Sequence, residues 1–214
     1  MKKLLPVIPV ILFAFSSCLG LSADFQIRKN GSVKLALEYR FSRTAENIGK
    51  LDGNERWQII PVGKADWERT ADRVDGMKFS SFSSRNDSRD IVNKITLEFS
   101  NTDAMLKFLA PGGKRASLNS GNGSSALNII FTEPYGAIND DLLELIQQVS
   151  YGYKLKISFS APKDSTLSFT DGYGKAISPP ETAEVVLKGK KVSFSIDTGE
   201  LLSYKDGLGV MFTW

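Results

Sequence analysis

Thiol and imidazole groups, the commonest nucleophile–base pair, are scarce in this chain, which holds one cysteine, Cys18, and no histidine. A catalytic thiol needs a neighbouring base, most often histidine, so Cys18 lacks its usual partner. Ser160 and Lys163 stand at S-x-x-K spacing, which serves acyl transfer when the serine opens a helix and the lysine lies one turn on. Here Ala161-Pro162 follows the serine, and proline and serine are ordinary turn residues, so the spacing reads as a turn. Gly121, Gly123 and Ala126 match G-x-G-x-x-A. A dinucleotide site requires a strand before those glycines and a helix after them. The order here is loop then strand, and no cofactor is expected.

Carboxylates gather at Asp66, Glu68 and Asp72, and again at Asp140, Asp141 and Glu144. On helices, the first set spreads around a solvated face with Arg69 and Arg73 between, and the second occupies a first turn where the dipole favours negative charge. Both are explained without a metal. Transition metals prefer histidine or thiolate, and no twelve-residue calcium loop appears. The aromatic residues Tyr135, Tyr151, Tyr153 and Tyr173 fall at strand ends or loops beside Gly136, Gly152, Gly172 and Gly174. They read either as packing residues that close the core or as the rim of a ligand-binding groove. No catalytic or metal-binding residue is assigned, and no enzyme activity is expected.

Cys18 acquires a different meaning from what precedes it. Lys2 and Lys3 are followed by uncharged Leu4 to Phe15 and then by Ser16 and Ser17, the basic, apolar and small-residue order of an export signal. Twelve residues of helix span about 18 Å, well short of a bilayer core of roughly 30 Å. Pro6 and Pro9 weaken such a helix further. In residues 1–18 the chain resembles bacterial lipoprotein precursors: a basic start, an apolar run, then "FSSC". Phe15 stands where the common box has leucine, as in the looser boxes of spirochaete type. The resemblance implies that residues 1–17 are removed and that acyl chains are attached to Cys18, anchoring the body to a membrane of the bacterial envelope. Two or three acyl chains hold firmly, where a single chain is marginal. The alternative is cleavage after Ala23, which would release a soluble periplasmic or secreted protein.

Removing Lys2 and Lys3 lowers the formal charge from +3 to +1, because 25 basic residues then face 24 acidic ones. No basic cluster remains to neutralise a row of phosphates, so nucleic acid is not an expected partner. With one cysteine no intrachain disulfide forms, and burial and sheet pairing must hold the fold.

The elements that would position these residues follow from periodicity. Asp24 to Ser42 alternates apolar and polar residues around Asn30-Gly31, the strongest short-range hairpin signal. Ser42 or Thr44 could cap a short helix through Ile48 and Leu51. A second helix is predicted over 65–74, where Trp67, Ala71 and Val74 share a face. Met77 to Ser100 reads as a hairpin turning near 85–88, with a bulge at Ser80-Ser81. Asn101 or Thr102 caps a helix through Met105 and Leu109 that Pro111 stops. Residues 111–125 hold four glycines and four serines in fifteen, the composition of a loop or link. Beyond it a strand is predicted over 126–131, a helix over 140–149, and strands over 153–160, 165–169, 184–187, 191–196 and 208–214.

The expected fold is α+β, a mainly antiparallel sheet built from hairpins with several short helices packed on it. Residues 18–214 form the body, read as one unit or as two lobes, 24–110 and 126–214, joined by 111–125. The expected function is noncatalytic binding of an apolar, lipid-like or other envelope ligand. A structural or assembly role with other envelope proteins is the alternative, and an exported hydrolase the weakest one.

Overall fold

Alternating apolar side chains turn one face of most strands toward a shared interior, and the computed structural model shows how that interior is built. It describes residues 19–42, 63–86, 88–121, 123–134, 144, 147–148, 150–201 and 203–214. Residues 1–18, the helix read between Ser42 and Leu51, Tyr135 and most of the helix read over 140–149 lie outside the described residues.

Strands β1 (Leu19–Ile27) and β2 (Val33–Ser42) form the expected hairpin. Its connection is wider than a two-residue turn. Five residues separate Ile27 from its partner Val33, the Arg28 amide donates to the Ser32 carbonyl at 2.9 Å, and Gly31 takes φ +82° at the tip. Helix α1 (Lys64–Arg73) follows, its first turn closed by the Gly63 amide donating to Asp66 Oδ2 at 2.9 Å. Strands β3 (Met77–Asn86) and β4 (Asp90–Phe99) make the second hairpin, and the register slips between Phe79 and Ser81, leaving Ser80 as the bulged residue. Helix α2 (Thr102–Leu109) is capped by Asn101, whose Oδ1 accepts from the Ala104 amide at 2.9 Å.

The remaining strands are β5 (Ala116–Gly121), β6 (Ser124–Thr132), β7 (Lys154–Ser160), β8 (Thr166–Thr170), β9 (Ala176–Ile177), β10 (Glu184–Lys188), β11 (Lys191–Asp197) and β12 (Leu208–Thr213), with the short helix α3 (Thr198–Leu201) after β11. They assemble into a seven-stranded sheet ordered β10-β11-β7-β1-β2-β4-β3 and a five-stranded sheet ordered β5-β6-β12-β8-β9. Every pairing is antiparallel except β1 with β7. The α+β, mainly antiparallel architecture is therefore present, with one parallel pair at the middle of the larger sheet.

One sequence expectation needs correction. Residues 111–125, expected as a loop, contain β5 and the start of β6. Ala116 is buried, and Leu118 packs on the core. An edge strand pairs through its backbone, so serine, asparagine and glycine suffice on its exposed positions. Gly123 supplies the positive φ of the turn, at +78°. The stretches 24–110 and 126–214 both contribute strands to the seven-stranded sheet.

The core lies on one face of that sheet. Over β11, β7 and β1 the cover is the second sheet: Phe159 of β7 stacks on Phe212 of β12, and Phe194 of β11 meets Phe131 and Phe169 of the five-stranded sheet. Over β2 and β4 the cover is helical. Trp67 of α1 lies against Tyr39, and Phe108 of α2 bridges Trp67 and Phe99. Burying a large apolar side chain contributes roughly 1.5–3 kcal/mol. These contacts join sheets and helices into one continuous apolar cluster.

Candidate functional surface

The parallel pairing of β1 with β7 sets Leu21 opposite Leu155, so the beginning of β1, next to Cys18, lies at the same end of the sheet as the turn that precedes β7. That turn carries Tyr151 and Gly152. Tyr151 is 84% exposed, while Tyr153, two residues on, is 5% exposed. Gly152, at φ +81°, reverses the chain between them. The Tyr153 hydroxyl donates to Asp90 Oδ1 at 2.6 Å, and the Arg89 guanidinium lies 5.7 Å from the ring centroid. Burial, followed by the bond to the Asp90 carboxylate, raises the phenol pKa. Tyr153 ties the start of β7 to the start of β4, and a Cβ on Gly20 would sit 3.3 Å from its Cδ1.

Tyr173 stands on the other sheet, in the turn between β8 and β9, and is 76% exposed. Asp171 Oδ1 accepts from the Tyr173 and Lys175 amides at 2.9 Å each. The aromatic residues therefore divide. Tyr151 and Tyr173 project from turns of different sheets, Tyr153 is packed, and Tyr135 lies outside the described residues.

The motifs with catalytic spacing are engaged in turns. Ser160 ends β7, and the Lys163 ammonium donates to the Gly123 carbonyl in the β5–β6 turn at 2.5 Å. Gly121 and Gly123 close a strand-to-strand hairpin, and β6 stands where a pyrophosphate site needs a helix. In the first acidic cluster, Asp66 caps α1 and pairs with Arg69, whose hydrogen bond holds its carboxyl below the ordinary range. Glu68 pairs with Lys64 at 3.6 Å. Of the second cluster Glu144 is described, and it accepts from Gln148 Nε2 at 3.2 Å.

A feature the sequence pattern did not single out lies at the border of the larger sheet. Among the described residues strand β10 pairs only with β11, and its three central residues Val185, Val186 and Leu187 are 40%, 46% and 61% exposed. Val185 and Leu187 oppose Phe194 and Val192, so they extend the apolar face beyond the edge of the core. Val186 opposes Ser193 and points the other way. The signal was present as three successive aliphatic residues in a five-residue strand, which put apolar groups on both faces. An open strand edge with such side chains is a template for another strand.

No protein-family model matches the chain, and no curated protein matches it. No helix among the described residues is long and apolar enough to cross a membrane.

Proposed function

We propose that the protein is an envelope lipoprotein, tethered through acylated Cys18, whose body acts without catalysis through protein–protein pairing in the envelope. The observation that carries the binding role is β10: a sheet edge with exposed Val185, Val186 and Leu187 beside an interior filled by Phe159, Phe212, Phe194 and Phe131. The apolar surface on offer is outside, at an edge whose backbone can pair.

The attachment point draws support from β1. Leu19 to Ala23 pair with Phe41 to Leu37 of β2, and Leu21 to Ala23 pair with Leu155 to Ile157 of β7. Cleavage after Ala23 would remove half of a strand from the middle of the sheet. Cleavage before Cys18 leaves β1 whole, with the modified residue immediately before it in sequence.

A second reading, contact with lipid, is favoured by one position. Tyr151 is exposed at the end of the sheet where β1 begins, where an amphipathic ring would meet the headgroups of an anchoring membrane.

A photoreactive residue at position 187, activated in living cells, tests the main reading. A reproducible adduct with an envelope protein is expected, and its loss when the residue is moved to exposed Lys107 on α2. Absence of any adduct at 187 sinks the binding role. Mass spectrometry of the mature amino terminus tests the anchor: acylation at Cys18 is expected, and an unmodified terminus at Asp24 refutes it.

A further inference from the structure

The five residues of β10, Glu184-Val185-Val186-Leu187-Lys188, are complementary to themselves when read in the opposite direction. From this we infer that the edge binds a second copy of the chain, β10 against β10 in antiparallel register centred on Val186. The inference rests on the binding role given above to this edge and names its partner.

The register is set by backbone, shape and charge together. Gly189 and Lys190 form a two-residue turn, and Lys188 opposes Lys191 across it. In a hairpin of that length the closing residues are a hydrogen-bonded pair, and the pattern alternates along the strand. Lys188 and Val186 therefore bond inward to β11, while Leu187 and Val185 turn their N–H and C=O groups to the open edge. A register centred on Val186 sets Val185 of each copy opposite Leu187 of the other, so the outward groups of both strands meet and four backbone hydrogen bonds close. On the face that continues the core, Val185 packs on Leu187 of the second copy. On the opposite face Val186 meets Val186, and Glu184 meets Lys188 at both ends of the strand.

Other registers lose this match. A shift by one residue brings inward-bonded positions to the edge, and a shift by two sets Glu184 against Val186 and leaves the charges unpaired. Glu184 lies 3.5 Å from Lys154 of β7, and Ser195 Oγ of β11 donates to it at 3.4 Å; both partners sit on the inward side of β10, so pairing with the second Lys188 swings this exposed carboxylate outward or shares it. The arrangement has two-fold symmetry, which makes the interface close on itself rather than propagate. It fuses two seven-stranded sheets into one and removes both exposed β10 edges. Five residues per copy fall short of the roughly 800 Å² per partner of a standard stable interface, so the pair forms at high local concentration and dissociates on dilution.

Cysteine trapping reads the register directly. Opposed residues of a non-hydrogen-bonded pair have Cα atoms about 4.5 Å apart, within the span of about 4.4–6.8 Å that a disulfide bridges. In the full chain, Val186→Cys should form a 186–186 disulfide, identified by peptide mass spectrometry, about tenfold faster than Val185→Cys or Lys107→Cys links to itself. A mixture of Val185→Cys and Leu187→Cys chains should cross-link with each other. Glu184→Lys sets like charges opposite one another at both ends and should slow trapping at 186 about tenfold. The double change Glu184→Lys/Lys188→Glu exchanges the charges and should restore it. Trapping at 186 no faster than at 107, or a double variant no better than the single, overturns the pairing. If position 187 still captures a different envelope protein in cells, the binding role survives while the second-copy assignment falls; if neither occurs, both fall.

Discussion

Phe159 of β7 and Phe212 of β12 lie 4.8 Å apart between ring centroids with planes inclined by 16°, and this stack joins the two sheets at interior strands. Trp214 closes on the same Phe159 ring at 5.1 Å. Both phenylalanines are fully buried, so the contact belongs to the core of each sheet at once.

Phe159→Ala should therefore cost about 3–5 kcal/mol, the range for deleting a buried aromatic ring. Because the seven-stranded sheet also takes strands from residues 19–99, the loss should be felt by the whole described body. Chemical denaturation followed by tryptophan fluorescence and by far-ultraviolet circular dichroism should give coincident transitions, both moved to lower denaturant. Trp67 reports the helix-covered half and Trp214 the sandwiched half. Separate transitions for the two would mean that the sheet pairing does not couple them.

Much of this fold was legible where side-chain period and a single buried face coincide. In β2, Val33, Leu35, Leu37 and Tyr39 alternate with polar or small residues and are all buried. Ser80 was legible as a bulge because it breaks the alternation of β3. The parallel β1–β7 pair was not, since its residues lie more than a hundred positions apart and no local pattern selects the partner. Leu19 to Ala23 fell within the body but outside the predicted hairpin, which began at Asp24, because their small and apolar residues show no clear alternation. Strand β5 was hidden because an edge strand is held by backbone bonds that serine and glycine make as well as valine. At the surface, Tyr151 and Tyr153 are equivalent beside Gly152 on paper, and only the turn decides that one is exposed and the other packed. Strand β10 was legible as a strand, but its place at the border is a matter of topology.

Alkaline pH should destabilise the fold through Tyr39. Burial raises its pKa from 10.0 to about 12, and its oxygen accepts from Trp67 Nε1 at 3.5 Å in the helix-covered core. A phenol that holds its proton more tightly in the fold contributes fully below about pH 10, and that contribution, on the order of 2 kcal/mol, is lost as pH climbs toward 12. Tyr204, also raised to about 12 by burial and by Glu200, adds to the same window. Urea midpoints measured between pH 8 and 12 should decline for the wild type and decline less for Tyr39→Phe, which has nothing to ionise. Parallel curves for the two proteins would remove Tyr39 from the explanation.

Two glycines with positive φ separate strain from crowding. Gly31, at φ +82°, has nothing within 4 Å of a would-be Cβ, whereas at Gly207, φ +77°, that atom would lie 2.4 Å from the Thr132 carbonyl oxygen. Gly31→Ala should cost only the left-handed penalty of about 1–2 kcal/mol. Gly207→Ala should cost more, because a backbone carbonyl at the start of the β6–β12 pairing cannot move aside without disturbing the ladder. Thermal midpoints of the two variants give the comparison, and equal losses would mean that the β12 end yields to the added methyl.

The first five residues of β1 bear on the proposed cleavage before Cys18. Gly20 and Ala23 are buried, and a chain beginning at Asp24 keeps Phe25 and Ile27 but loses Leu21 to Ala23 from both flanking ladders. β2 and β7 would then each face an unpaired stretch at the middle of the sheet, where buried amide and carbonyl groups left without partners cost about 1–3 kcal/mol each. A chain beginning at Leu19 should melt cooperatively, while one beginning at Asp24 should be unfolded or melt at a markedly lower temperature, with exchange of the β2 amides from Leu37 to Phe41 accelerated first. Hydrogen exchange on both forms reads this directly. Equal stability of the two would make residues 19–23 dispensable and restore cleavage after Ala23 as a route to a soluble protein.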